Sequence, residues 1–129
     1  MGLPSVLQNI KERPGMYLHA ATFDAVVAFV EGYNAAICGG FLVGFREWLI
    51  VRVDGANNLA WSGLILFALD DIEGRGDQLV LIKGLFGILE EFIAVRDERE
   101  GYRRIYASYE KWLTSQEWYT PTSPQWIDS

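Results

Sequence analysis

Phe41-Leu42-Val43-Gly44-Phe45-Arg46-Glu47-Trp48-Leu49-Ile50-Val51-Arg52-Val53 is the stretch on which the fold class turns. Phe41, Phe45, Trp48, Leu49 and Arg52 recur at helical spacing, and two aromatics at i and i+4 beside Trp48-Leu49 make a broad apolar stripe. Leu49 to Val53 also reads as a strand ahead of the Asp54-Gly55 turn. A helix here makes the chain all-α, and a strand makes it mixed. The breadth of the stripe favours a helix over 41–53, with β as the alternative.

On either side the pattern is helical. Ser5 to Lys11 reads as a short helix with Ser5 as its N-cap and Val6, Leu7 and Ile10 on one face. Thr22 caps a helix to Ile37, with Asp24 in the first turn, where the helix dipole favours an acid. Gly39-Gly40 stops it. Leu59 to Leu69 reads as a buried helix. Asp77 caps a long one to about Val95, with Leu79, Ile82, Leu85, Phe86, Leu89, Phe92 and Ile93 as its core stripe. Tyr102 to Trp112 forms the last. The expectation is one all-α domain of five or six helices over residues 1–113. The tail 114–129, carrying Trp118, Tyr119 and Trp126, is expected to pack partly against it.

Between the first two helices lies Lys11-Glu12-Arg13-Pro14-Gly15-Met16-Tyr17-Leu18. Pro14 fixes its own φ and pushes Arg13 out of the helical region, and Gly15 permits a conformation most residues avoid. Arg13, Pro14, Gly15, Met16 and Tyr17 therefore read as a structural elbow, with Met16, Tyr17 and Leu18 as a plug for the core.

Composition bounds the function. Half of the 129 residues are hydrophobic and 22% are charged, which suits one well-packed domain rather than a disordered chain. No apolar run reaches the ~20 residues of a membrane span. The start of the chain shows no basic-then-apolar leader, and a single cysteine, Cys38, excludes an internal disulfide framework, so a cytoplasmic location is expected. Cys38 is expected to be a buried structural thiol, because no basic group lies near it in sequence. One His and one Cys leave no usual zinc set, so no metal is expected.

Net charge is −6, and most of it falls between Asp70 and Glu100, where nine acids face four bases. Phosphate-backbone binding needs a basic surface, so nucleic acid is not an expected partner. A basic protein is. Asp70, Asp71, Glu73 and Asp77 flank a glycine-containing loop and are the first candidates for partner contact. Asp97, Glu98 and Glu100 join them if the long helix folds back.

Catalysis finds little support. Adjacent carboxylates such as Asp70-Asp71 and Glu90-Glu91 do not face each other on a helix, and acid–base work needs burial and a set separation. His19 has no obvious nucleophile or orienting group beside it and reads as a loop histidine. The five tryptophans sit at core-like positions without the basic neighbours of a base-stacking platform. The chain is expected to be neither an enzyme nor a cofactor binder.

The Arg13-Pro14-Gly15-Met16-Tyr17 run resembles the start of gyrase-type ATPase domains, where a similar run precedes a helix carrying Glu and Asn. Here Glu31 and Asn34 are three apart instead of four, and Asp54-Gly55-Ala56-Asn57-Asn58 lacks the second glycine of that family's lid. The match is local, and no ATP binding is expected. A small nucleotide-binding module is the alternative it offers. A wider resemblance is to small bacterial immunity-type proteins encoded beside polymorphic or contact-dependent toxins. It rests on the Arg-Pro-Gly-Met-Tyr-Leu run at 13–18, Phe29-Val30-Glu31-Gly32-Tyr33, Phe45-Arg46-Glu47-Trp48-Leu49 and Leu89-Glu90-Glu91-Phe92, in order, with His19 standing where that pattern has glycine. This resemblance implies a non-catalytic protein that neutralises a cognate toxin domain by direct binding. The acidic window suits a basic, nuclease-like target. A non-toxin adaptor subunit is the remaining alternative.

Overall fold

The computed structural model describes residues 2–119, and every regular element among them is a helix. The order is α1 (Ser5–Glu12), α2 (Pro14–Tyr17), α3 (Phe23–Ala36), α4 (Phe45–Val53), α5 (Trp61–Ala68), α6 (Gln78–Arg96) and α7 (Gly101–Thr114). The all-α expectation holds, with seven helices instead of five or six. The additional one is α2.

α6 organises the rest. Its 19 residues span about 28 Å at 1.5 Å per residue, and Ile82, Leu85, Phe86, Ile88, Leu89, Phe92 and Ile93 are all buried. α3 runs parallel to it. The Phe23 N–H at the start of α3 donates to Gln78 Oε1 at the start of α6, 2.7 Å away. At the far end, the Arg96 guanidinium lies 5.9 Å from both the Phe41 and Phe92 ring centres. α4 crosses near the C-terminal part of α6. Phe45 and Phe92 pack with ring centres 4.9 Å apart, and Trp48 lies 5.7 Å from Phe92. α7 lies along α4 in the same sense: Gly44 sits against Ile105 and Tyr106, while Trp112 Nε1 donates to Asp54 Oδ1 at 2.7 Å. No buried polar or charged residue interrupts the core among the described residues. Each fully buried Leu, Ile or Phe there contributes roughly 2 kcal/mol by leaving water.

The decisive segment is helical, but only from Phe45. Gly44 takes φ 82° and serves as the N-cap residue, so residues 41–44 form the approach and Val51 to Val53 the last turn. Leu49 and Ile50 are both fully buried, which is why this run resembled a strand. A two-sided burial blurs helical periodicity. The caps at Thr22 and Asp77 are as expected, with Thr22 Oγ1 accepting from Ala25 N–H at 3.1 Å and Asp77 Oδ1 from Leu79 N–H at 2.9 Å.

Several expectations are corrected. Pro4, not Ser5, is the N-cap residue of α1, and its carbonyl accepts from the Leu7 and Gln8 N–H groups. The chain does turn at Arg13 (φ −141°, ψ 65°), as a residue before proline must when it leaves the helical region. Pro14 then opens a new helical turn from N1. Gly15 lies inside that turn without a positive φ, and a Cβ there would meet nothing within 4 Å. Met16 and Tyr17 are exposed. Only Leu18 packs on the core, because one turn of helix can bury only one side. Cys38 is exposed with φ 62°, since it belongs to the α3 terminus and not to its last turn. Leu79, assigned to the core stripe, is exposed in the first turn of α6. In the tail, Trp118 meets Trp112 edge-on at 6.4 Å while more than half of its surface stays exposed, which leaves the expectation of partial packing standing. The expectation about Trp126 and the rest of the tail beyond residue 119 lies outside the described residues.

Candidate functional site

The acidic candidates divide into two sets at opposite ends of α6. Asp70, Asp71, Glu73 and Asp77 lie in the α5–α6 loop at its N-terminal end. Asp97, Glu98 and Glu100 lie in the α6–α7 loop at its C-terminal end. An unbroken helix keeps them about 28 Å apart. The condition under which the second set would join the first is not met, because α6 is continuous and does not fold back.

The α5–α6 loop is tied to its flanks. Arg75 Nη1 donates to the Asp70 carbonyl at 2.9 Å and pairs with the Asp70 carboxylate. Gly74, at φ 83°, lies against Val80, so the loop folds back over the start of α6. Below it Leu69 is buried against Gly84, where a Cβ would come within 2.7 Å of Leu69 Cδ1. Asp77 spends its carboxylate on the cap. Asp71 and Glu73 are exposed and have no ion-pair partner among the described residues.

The α6–α7 loop is neutralised by its own bases. Asp97 accepts from Arg96 Nε at 3.1 Å, Glu98 faces Arg104 at 3.5 Å, and Glu100 faces Arg103 at 3.1 Å. The two glutamates on α6 are likewise engaged. Lys11 pairs with Glu90 at 2.6 Å, and Arg52 makes a two-pronged contact with Glu91 at 3.1 and 3.2 Å. These partners lie far away in sequence, and helical spacing alone offers no sign of them.

Residues from the ATPase-like pattern hold structural positions. Asn34 Oδ1 accepts from Leu42 N–H at 2.9 Å and its carbonyl from Gly39 N–H at 2.7 Å, which closes the turn after α3. Glu31 and His19 are exposed. Among the described residues, no three of His, Cys, Asp or Glu converge as a metal set. No helix among them is long and apolar enough to cross a membrane.

Two features escaped the sequence reading. One is a groove of about 430 Å³ between α4, α6 and α7, with Trp48, Val51, Val95 and Ile105 as its apolar wall and Arg52, Glu91 and Arg104 at its edge. The other is a set of exposed apolar side chains around the unpaired acids. Leu66 and Phe67 lie at the end of α5, Ile72 in the loop and Leu79 at the start of α6. Exposure of an apolar residue has no sequence signature of its own, and Leu69, amid the same run, is buried. No family model, curated protein or solved structure matches this chain.

Proposed function

We propose that this chain is a non-catalytic binding protein that neutralises a cognate toxin domain by direct contact, in the manner of the immunity-type proteins it resembles. The observation that carries this reading is the contrast in pairing. The α5–α6 loop holds carboxylates without cationic partners on a well-anchored, exposed loop, whereas the other acidic loop is internally neutralised. Unpaired surface carboxylates keep their field available to a basic partner and speed its approach. On this reading the target is a basic, nuclease-like domain in the cytoplasm of the cell that makes both proteins.

The test is binding kinetics against the toxin domain encoded next to this chain, at two ionic strengths. Asp71→Asn and Glu73→Gln, the two unpaired acids, are together expected to slow association by roughly tenfold at low salt and to flatten its salt dependence. The paired set, Glu98→Gln with Glu100→Gln, is expected to leave both unchanged. No complex with the parent protein, or equal effects from the two sets, refutes the reading.

A further inference from the structure

The exposed apolar residues at the same end of the molecule add a chemistry that charge alone does not supply. Phe67 is 52% exposed, Leu79 57%, Leu66 43% and Ile72 37%. All four fall within residues 66–79, and the elements that carry them converge at the N-terminal end of α6. Leu69 packs on Gly84, Gly74 lies against Val80, and the Asp77 N–H donates to the Gly74 carbonyl at 2.8 Å. The loop is therefore held down onto the helix that carries Leu79. A single exposed leucine needs no explanation, but four large apolar side chains in one short anchored segment do. The charge around them is acidic in balance: Asp70, Asp71, Glu73 and Asp77 against Arg75, whose charge is taken up by Asp70, and Lys83, exposed one turn beyond Leu79 on α6.

We propose that this corner is a docking surface with an apolar centre, Leu66, Phe67, Ile72 and Leu79, and an acidic rim, and that its occupant is a protein segment with one or two leucine-sized side chains flanked by lysine or arginine. The inference rests on the reading of the chain as a binder of a basic toxin domain and names the contact's chemistry. Charge complementarity decides the occupant. A neutral apolar segment leaves the rim carboxylates desolvated without partners, and an acidic one is repelled. A basic segment with apolar anchors satisfies both parts, with the energy concentrated at the central aromatic and aliphatic side chains. Phe67 and Leu79 are the most exposed of the four and are assigned as the anchors.

The probe is a fluorescently labelled amphipathic peptide of leucine and lysine at helical spacing, with a second peptide in which serine replaces leucine. Binding to the full chain is read by anisotropy, and the site by amide chemical-shift changes in the unsubstituted protein. The leucine peptide is expected to perturb residues 66–79 and to bind at least about tenfold more tightly than the serine peptide. Phe67→Ser with Leu79→Ser is expected to remove that difference without changing the melting temperature, while Ile37→Ser, an exposed apolar residue at the opposite end, leaves binding unchanged. Shifts centred on the α4–α7 groove, an equal effect of Ile37→Ser, or a dimer of the protein alone that Phe67→Ser dissolves would each overturn the proposal. The shift map decides the site even if the double variant fails to fold.

The same variants against the neighbouring toxin domain separate the two readings. Tight toxin binding that ignores Phe67→Ser and Leu79→Ser leaves the neutralising function standing and removes this surface from it. Peptide docking at 66–79 without toxin binding keeps the docking chemistry and removes the toxin.

Discussion

The two loops that bracket α6 carry similar numbers of acids and solve opposite problems. The α6–α7 loop reverses the chain within four residues. Glu100 is forced to φ 58°, and Gly101 is buried so tightly that a Cβ would come 2.1 Å from the Arg96 carbonyl oxygen. Every acid there has a neighbouring base. The α5–α6 loop is longer, folds back on its helix, and leaves two acids and several apolar groups facing water. Acidic residues therefore mean different things at the two ends. One set completes a tight corner, and the other is unspent surface. A count of acids alone does not separate them; the bases do, since residues 96–104 hold four bases against three acids and residues 70–77 one base against four acids.

The strongest way to break this comparison is at glycines. Gly101→Ala is expected to cost about 3 kcal/mol or more, since the neighbouring atom is backbone and cannot yield. Gly76→Ala, in the other loop, meets nothing within 4 Å and is expected to stay within about 0.5 kcal/mol of the parent. Urea unfolding of both variants checks the pair, and equal costs would mean that the two loops are equally constrained.

A smaller effect tests how firmly the open loop is anchored. Asp77→Ala removes the acceptor for the Leu79 N–H and is expected to destabilise by about 1 kcal/mol, whereas Asp77→Asn retains most of the cap. If both variants unfold at the parent's urea midpoint, the loop does not depend on its cap.

The smallest concerns pH near the tight corner. Burial pushes the Tyr106 hydroxyl above its ordinary value, with Glu47 and Tyr102 adding to the shift and a backbone hydrogen bond at Gly44 opposing it. A raised folded-state pKa means that the unfolded chain releases this proton first. The contribution to stability is complete below the ordinary tyrosine value of about 10 and is lost as pH rises through the raised one. Tyr106→Phe should flatten the alkaline limb of a stability–pH curve. An unchanged limb would mean that another group sets it.

Much of the fold was legible because local chemistry agreed with packing. Thr22 and Asp77 announced their helices by capping, and the long apolar stripe from Ile82 to Ile93 required a central helix. The misreadings came where tertiary context decides. Met16, Tyr17 and Leu79 are apolar residues that no neighbouring element covers, and Cys38 follows the end of α3 into a left-handed turn. The candidate acids were readable as residues, and a continuous helix between the two sets was itself expected. The pairing of the α6 glutamates was not, because Glu90 and Glu91 meet Lys11 and Arg52 only after α1 and α4 have packed on α6.

Cys38 has a practical consequence. It is the chain's one cysteine and is exposed beyond the end of α3, the end that approaches Arg96. Because α3 and α6 run side by side, the thiol lies roughly the length of α6, about 28 Å, from the loop at residues 70–77. A maleimide dye coupled there marks one known position without touching that loop. Energy transfer from this dye to a labelled partner would report which end of the molecule is occupied, since the two ends differ by a distance that such transfer resolves.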